Sequence, residues 1–147
     1  MTDQELIAAA RAAALKAYAP YSNFSVGCAV ESIDGEVVAS ANMENACYRL
    51  GVCAEQSALA AAQMAFGLHK VARIAVVGGD RSGPALAGAS PVTPCGGCRQ
   101  AILEAAQQGG RDVAVICASG DGLRVETHSI GELIPLGFGP DALRDGA

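Results

Sequence analysis

Aromatic side chains are scarce in this chain of 147 residues, which has no tryptophan, three phenylalanines and three tyrosines. Apolar residues nevertheless make up 51% of it. We therefore expect a core of small and aliphatic side chains, in which alanine-rich helices approach their neighbours closely. A chain of this length is predicted to form one domain, residues 1–147, that buries roughly two thirds of its unfolded surface.

Positive charge is also in short supply, since 10 lysines and arginines stand against 15 acidic residues and give a net charge of -5. Affinity for nucleic acid comes mainly from neutralising phosphates, so this balance argues against a nucleic-acid partner and favours a small-molecule substrate. No apolar run is long enough to span a bilayer. The acidic start of the chain lacks the basic and apolar segments of a secretory signal. We expect no membrane partner and a location in the cytoplasm.

The six cysteines therefore indicate metal or redox chemistry rather than disulfides, because a reducing compartment keeps thiols free. Three of them belong to two short runs, Cys53-Ala54-Glu55 and Pro94-Cys95-Gly96-Gly97-Cys98. The others, Cys28, Cys47 and Cys117, are assigned to packing, since a free cysteine behaves as a small buried apolar residue.

The spacing of the two runs permits one shared metal site. Residues three apart lie on one face of a helix, so Cys95 and Cys98 in a first turn can direct both sulfurs at one ion. Cys53 and Glu55 are two apart, so a common site must lie beyond the N-terminal end of their helix, where the macrodipole favours thiolate. Three thiolates and an open fourth position are typical of catalytic zinc, with Glu55 as the neighbouring acid and base.

Periodicity and capping signals predict the order α-β-β-α-β-α-β-β-α. The elements are a helix opened by the capping box Thr2-x-x-Glu5 and ended before Pro20, strands near 26–30 and 37–39 joined by Asp34-Gly35, a helix at 53–66, a strand at 71–77, a helix at about 95–108, strands at 113–117 and 123–127, and a short helix capped by Ser129. Leu6, Ala10, Ala13, Ala14 and Ala17 are predicted to form the buried face of the first helix. This order predicts an α/β fold, a mixed five-stranded sheet with helices on both faces.

Two further expectations concern burial and loops. The helix at 53–66 is almost wholly apolar, so it is predicted to be buried on most of its sides. Residues 78–94 are predicted to form a long loop, and loops of this length often border a site. In such folds ligands gather at the ends of strands, where both cysteine-bearing helices would begin.

The two cysteine runs, the second continuing through Arg99-Gln100, resemble the zinc signature of the cytidine deaminase family in its small, three-cysteine form. The runs at 21–27 and 42–46, and Glu132-Leu133-Ile134-Pro135 with Phe138, also resemble that family in the same order. The likeness therefore covers nearly the whole chain. It implies a three-layer fold, Zn²⁺ as cofactor, a homotetramer, and hydrolytic deamination of cytidine and 2'-deoxycytidine to the uridine products, a step of pyrimidine salvage.

The resemblance also implies a role for each matching residue. Cys53, Cys95 and Cys98 would hold the zinc, and Glu55 would carry protons between the water, ring atom N3 and the leaving amino group. The backbone around Ala54 and Cys95 would bind the edge of the pyrimidine, and Phe24 would lie against its ring. Asn42 and Glu44 would bind the ribose hydroxyls. Three further residues would reach the site of a neighbouring subunit: Ala46, Tyr48 and Phe138.

Gln56 departs from the family pattern, in which an arginine usually follows the glutamate. Three thiolates and Zn²⁺ sum to one negative charge, which an arginine would offset. Glutamine can donate a hydrogen bond to a sulfur but brings no charge. This departure leaves open a modified or antibiotic cytosine nucleoside, such as blasticidin S, as the substrate.

Two other functions remain open from the residues alone. Cys95 and Cys98 could form a redox dithiol, although this leaves Cys53 and Glu55 without a role. Alternatively, the zinc could be structural in a module without turnover, which would need His69, His128 or another cysteine as a fourth ligand.

Simpler interpretations also exist for the binding residues: Phe24 and Phe138 could fill the core, and Asn42 and Glu44 could belong to an ordinary turn. The long loop at 78–93 could lie at the entrance or at a subunit boundary.

Overall fold

A computed structural model of the chain describes residues 1–144; the predicted domain runs to 147, and its last three residues lie outside the described part. The helices and strands are α1 (Asp3–Ala14), β1 (Phe24–Ser32), β2 (Val37–Ala41), α2 (Ala54–Ala65), β3 (Val71–Asp80), α3 (Gly96–Gly109), β4 (Ala114–Ser119), β5 (Val125–Ser129), α4 (Ile130–Leu133) and α5 (Pro140–Arg144), with single-turn 3-10 helices at Tyr48–Leu50 and Leu68–Lys70. All five strands join in one sheet of order β2-β1-β3-β4-β5.

The sheet is mixed, as the sequence predicted. The central strands β3 and β4 run parallel and are connected through α3, whereas the other neighbouring pairs are antiparallel. Side chains alternate across the sheet because the period of a strand is two. In β3, Ile74 and Val76 face the core shared with α2 and α3, and Ala75 and Val77 face the core shared with α1. Two apolar cores on opposite faces make the predicted three-layer arrangement.

The first helix starts as its capping box predicts. The hydroxyl of Thr2 accepts from the backbone N–H of Glu5, and the Glu5 carboxylate accepts from that of Thr2 at 2.7 Å. The helix lies very close to β1, since a Cβ on Gly27 would stand 1.8 Å from the carbonyl oxygen of Ala10. Glycine is therefore required where α1 crosses the sheet.

The buried face of α1 differs in part from the prediction, which omitted one residue and included two others. Leu6, Ala10 and Ala14 are buried as expected, and Ile7 joins them. Ala13 is only half-buried, and Ala17 lies beyond the end of the helix, which stops at Ala14 rather than near Pro20. The shorter helix follows from the turn after Ala14, which redirects the chain towards β1.

Burial of α2 was predicted wrongly. One face of this helix is buried, through Ala54, Glu55, Ala58, Leu59 and Ala62, while Met64 on another face is 87% exposed. The sheet and α3 cover only one side of the helix, so a sequence apolar on several sides leaves part of that surface in contact with solvent.

The predicted loop at 78–94 began too early in the sequence. The prediction also missed one helix, α5. Strand β3 continues to Asp80 because Gly78 and Gly79 pair with β1, although glycine is a poor predictor of strand. The rest of the segment is anchored at Leu86, which is 3% exposed and packs in the core beneath α1. Helix α5 had no signal beyond its first residue, Pro140.

Within residues 1–144, the longest helices fall short of the length and apolar character needed to traverse a bilayer.

A buried ion pair links β1 to β3 near the C-terminal end of β1. Glu31 stands opposite Arg73 in the strand register, and the Arg73 Nε donates to Oε1 of Glu31 at 2.8 Å. The Glu31 side chain is 11% exposed. The hydrogen bond from Arg73 lowers the pKa of the Glu31 carboxyl.

We expect Glu31→Gln to lower the free energy of unfolding by roughly 1.5–3 kcal/mol at pH 7, the typical value of a hydrogen bond to a charged group. Because the pKa is depressed in the folded state, this stabilisation is present above the unfolded pKa and is lost as pH falls through the folded pKa. Urea unfolding at pH 7 and below about pH 4 should therefore show a difference that shrinks on acidification. Glu36→Gln, at an exposed carboxyl, is the control, and a pH-independent difference would contradict the assignment.

Candidate active site

Three cysteines converge where two helices begin. Cys53 is the N-cap residue of α2, Cys95 is the N-cap residue of α3, and Cys98 follows in the first turn of α3. Their sulfur atoms all lie within 4.8 Å of one another. A tetrahedral zinc with Zn–S bonds of about 2.3 Å places its sulfurs about 3.8 Å apart, so this cluster fits Zn²⁺ with small side-chain movements.

Within residues 1–144, the side chains that lie close enough together to hold a metal ion are those of Cys53, Cys95 and Cys98. The two histidines considered as a fourth ligand lie elsewhere: His69 is in the single-turn helix after α2, and His128 on β5 has its Nε2 3.3 Å from the Glu126 carboxylate. Three ligands leave one position of a tetrahedron for water or substrate, which is the arrangement of catalytic rather than structural zinc.

The protein environment alone favours only one of the three thiolates. Backbone N–H groups at the start of α3, first that of Cys98, lower the pKa of the Cys95 thiol. Burial raises the pKa of Cys53, and burial together with the nearby Glu55 raises that of Cys98 far more. Thiolates at all three positions therefore need a cation between them, and metal binding supplies it because it displaces the thiol protons.

Glu55 is the second residue of α2 and is 5% exposed. Burial raises the pKa of its carboxyl, while hydrogen bonds from its own backbone N–H and from Cys98 act in the opposite direction. A carboxyl buried beside cysteines that can hold a metal ion, with its pKa raised by burial, is suited to accept and return protons.

Gln56 points at the cluster from the outer side of α2. Its Nε2 lies 3.8 Å from the sulfur of Cys98, within hydrogen-bond distance for sulfur. The side chain can thus partly stabilise this thiolate, although it adds no positive charge.

A cleft of about 530 Å³ opens beside Cys53, a size suited to a small molecule. Its walls are formed by residues from the loop before β1, the segment after β2 and the approach to α2: Tyr21, Ser22, Asn42, Met43, Glu44, Asn45, Tyr48, Gly51, Val52 and Cys53. The structure thus brings three of the predicted substrate residues, Asn42, Glu44 and Tyr48, to the same cleft as one cysteine of the cluster.

The other predicted substrate residues do not line this cleft. Phe24 opens β1 and is 41% exposed, and Ala46 is exposed between Glu44 and Tyr48. Ala54 is fully buried at the start of α2. Phe138 is 63% exposed and lies against α3, where its carbonyl oxygen accepts from the Gln100 side chain at 2.7 Å.

The Asn42 side chain is engaged with β1. Its Oδ1 accepts from the backbone N–H of Val26 at 2.8 Å, and its Nδ2 donates to the carbonyl oxygen of Phe24 at 3.0 Å. The amide thus extends the pairing of β1 and β2 beyond its last residue pair, Gly27 and Ala41. One amide hydrogen of Asn42 remains for another partner.

Sequence reasoning missed Tyr21 and Ser22 as lining residues. Both lie in a run that matched the family pattern, but the signal that would have singled them out is a contact with Glu44, more than twenty residues away. Tyr21 also makes an edge-to-face contact with Tyr48, with ring centroids 6.0 Å apart. No local pattern reports contacts of this range.

Three cysteine sulfurs and a buried glutamate at two helix starts beside a mixed sheet fit the class of zinc-dependent deaminases. The family model described as "Cytidine and deoxycytidylate deaminase zinc-binding region" matches residues 1–115. The chain belongs to this deaminase family.

Individual relatives agree over almost the full length. A curated cytidine deaminase of Halalkalibacterium halodurans is 37% identical over 145 residues, which is 99% of this chain and 100% of the relative. A crystal structure of cytidine deaminase from Burkholderia pseudomallei has a TM-score of 0.80 and 42% identity and covers 94% of this chain and 100% of its own. One from Mycobacterium tuberculosis has a TM-score of 0.71 and 32% identity, with 95% and 99% covered.

We predict that Gln56→Ala weakens zinc binding by about tenfold, because loss of a group that hydrogen-bonds a ligand typically lowers metal affinity 10- to 100-fold. Gln56→Arg should bind zinc at least as tightly as the wild type, since it adds a positive charge beside the Cys98 thiolate. Competition with a chromogenic chelator measures both. Equal zinc affinity of the wild type and Gln56→Ala would show that the contact has no effect on the metal.

Proposed function

We propose that the chain catalyses the hydrolysis of cytidine and 2'-deoxycytidine to uridine and 2'-deoxyuridine with release of ammonia. The observation that carries this proposal is the meeting of three cysteine sulfurs within 4.8 Å at two helix starts, beside the buried Glu55. A dithiol function would use Cys95 and Cys98 alone, and it would leave this third sulfur and the carboxyl unexplained.

In this proposal Cys53, Cys95 and Cys98 are the zinc ligands. Zinc bound there supplies Lewis acidity that makes a water acidic enough to react near neutral pH. Glu55 accepts a proton from that water and delivers it to ring atom N3. A second proton passes through the same carboxylate to the amino group at C4, which leaves as ammonia, and the water oxygen becomes the O4 of uridine. One carboxylate can do both because each proton it takes is given away again.

Substrate binding is assigned by the same proposal. Backbone groups around Ala54 contact the edge of the pyrimidine, and the ring of Phe24 packs against its face. Asn42 and Glu44, in the wall of the cleft, hold the ribose hydroxyls.

The active protein is proposed to be a homotetramer in the cytoplasm that acts in pyrimidine salvage as a hydrolase, with each chain forming a single domain. Two observations support shared sites. The exposed Met64 face of α2 leaves apolar surface for another subunit, and Phe138 lies beside Gln100 of α3 rather than in the cleft of its own chain. Ala46 and Tyr48, which are exposed, would lie at the same boundary.

We expect Glu55→Ala to lower the rate of ammonia release from cytidine on the order of 10²- to 10⁴-fold, the usual contribution of a general acid and base. Zinc content should remain at one ion per chain, because Glu55 is not a ligand in this proposal. A panel of cytidine, 2'-deoxycytidine and modified cytosine nucleosides identifies the preferred substrate.

The control is Glu36→Ala at an exposed carboxyl before β2, which should keep full activity. Turnover of cytidine by Glu55→Ala at the wild-type rate would remove the proposed proton carrier. A wild type active only on a modified nucleoside would replace the proposed substrate.

If each active site combines residues of two subunits, two impaired variants should restore activity to one another in a mixed oligomer. Glu55→Ala and Phe138→Ala chains with different tags, refolded together and purified as mixed oligomers, should be more active than the sum of the two separate variants. The gain arises because some sites combine an intact Glu55 with an intact Phe138 from the neighbour. Mixed oligomers with no such gain would show that Phe138 does not serve a neighbouring site.

A further inference from the structure

The Glu44 carboxylate is held by the loop before β1. Oε1 accepts from the backbone N–H groups of Tyr21 at 2.9 Å and Ser22 at 3.2 Å, and Oε2 accepts from the Ser22 hydroxyl at 2.6 Å. A carboxylate has about four acceptor positions. Three are filled within the protein, and the position left over is on Oε2.

The Ser22 hydroxyl has a defined direction. Its oxygen accepts from the backbone N–H of Phe24 at 3.0 Å, so its single hydrogen is free to be donated to Glu44. One hydroxyl therefore joins the residue proposed to pack on the base with the residue proposed to hold the ribose. Ser22 and Glu44 both line the cleft that contains Cys53.

We propose that Ser22 is a positioning residue for nucleoside recognition, which fixes the Glu44 carboxylate so that the remaining Oε2 position accepts a ribose hydroxyl. This inference rests on the proposed function. Ser22 acts through Glu44 and need not touch the substrate. Its effect should consequently depend on whether the substrate has ribose hydroxyls at all.

The charge of Glu44 agrees with this role. The hydrogen bond from Ser22 is the main cause that lowers the pKa of the Glu44 carboxyl. The group is thus an anion at neutral pH, and an anionic acceptor makes stronger hydrogen bonds than a neutral one.

The test compares two substrates in one variant. For Ser22→Ala and the wild type, kcat/KM is measured on cytidine and on 2',3'-dideoxycytidine, which has neither ribose hydroxyl. We expect the preference for cytidine over the dideoxy analogue to fall about tenfold in Ser22→Ala, a change typical of losing one charge-assisted hydrogen bond. The change should appear mainly in KM, and Ser22→Thr, which keeps the hydroxyl, should restore the preference.

Ser82→Ala is the matched control. The Ser82 hydroxyl also donates to a carboxylate, Oδ1 of Asp80 at 2.8 Å, but neither residue lines the cleft, so the preference should stay within twofold.

An unchanged preference in Ser22→Ala, whether activity is kept or both substrates lose equally, would overturn the positioning role, because a defect of folding or of the base contact affects both substrates alike. A wild type that turns over the two substrates equally well would overturn the ribose role of Glu44 and this inference with it. A wild type that does not release ammonia from any cytosine nucleoside would overturn the proposed function itself.

Discussion

The active-site geometry depends on two helices beginning at the same end of strand β3. Helix α2 has 12 residues and a length of about 18 Å, and the chain then turns back into β3, so Cys53 lies towards the C-terminal end of that strand. Helix α3 connects β3 to the parallel strand β4, so it begins near the same end of β3, and Cys95 is its N-cap residue. Parallel pairing of β3 and β4 therefore brings together sulfurs more than forty positions apart in the sequence.

The buried ionisable groups indicate that the converging cysteines form a functional site and are not only part of the packed core. Glu31 and Glu55 are both buried, but Arg73 neutralises Glu31 and lowers its pKa, whereas burial raises the pKa of Glu55. The first carboxylate has a positively charged partner within the protein. The second, together with cysteines whose pKa values are raised by burial, lies where a cation is required, and strongly perturbed groups of this kind mark functional sites.

The parts of the fold that local chemistry controls were predictable. The Thr2 capping box, the Asp34-Gly35 turn and the strand at 26–30 each depend on neighbours within a few residues, and the structure has all three. Apolar content predicted that α2 is buried, but content does not show which sides other elements cover, so the exposure of Met64 was unexpected. The glycines of β3 concealed its true length for a related reason: their strand conformation comes from pairing with β1.

Prediction of the site had the same limits. The cysteine spacing was enough to expect one shared metal site, because two of the ligands lie in one helical turn, and the structure places the sulfurs close together. It was not enough to find Ser22, whose relation to Glu44 exists only after the loop before β1 folds against the segment after β2. Contacts between loops distant in sequence have no periodicity that could reveal them.

The polar wall of the cleft is joined to the sheet by hydrogen bonds from both its side chains and its backbone. Asn42 binds both Phe24 and Val26 on β1, and Met43 exchanges two backbone hydrogen bonds with Val52 just before the zinc-binding segment. The polar wall of the cleft and the Cys53 region are thus held in one hydrogen-bonded unit. The conformational entropy of these loops is therefore lost during folding rather than during substrate binding. A site that is ordered before the substrate binds loses less free energy on binding and holds the substrate closer to its reactive geometry.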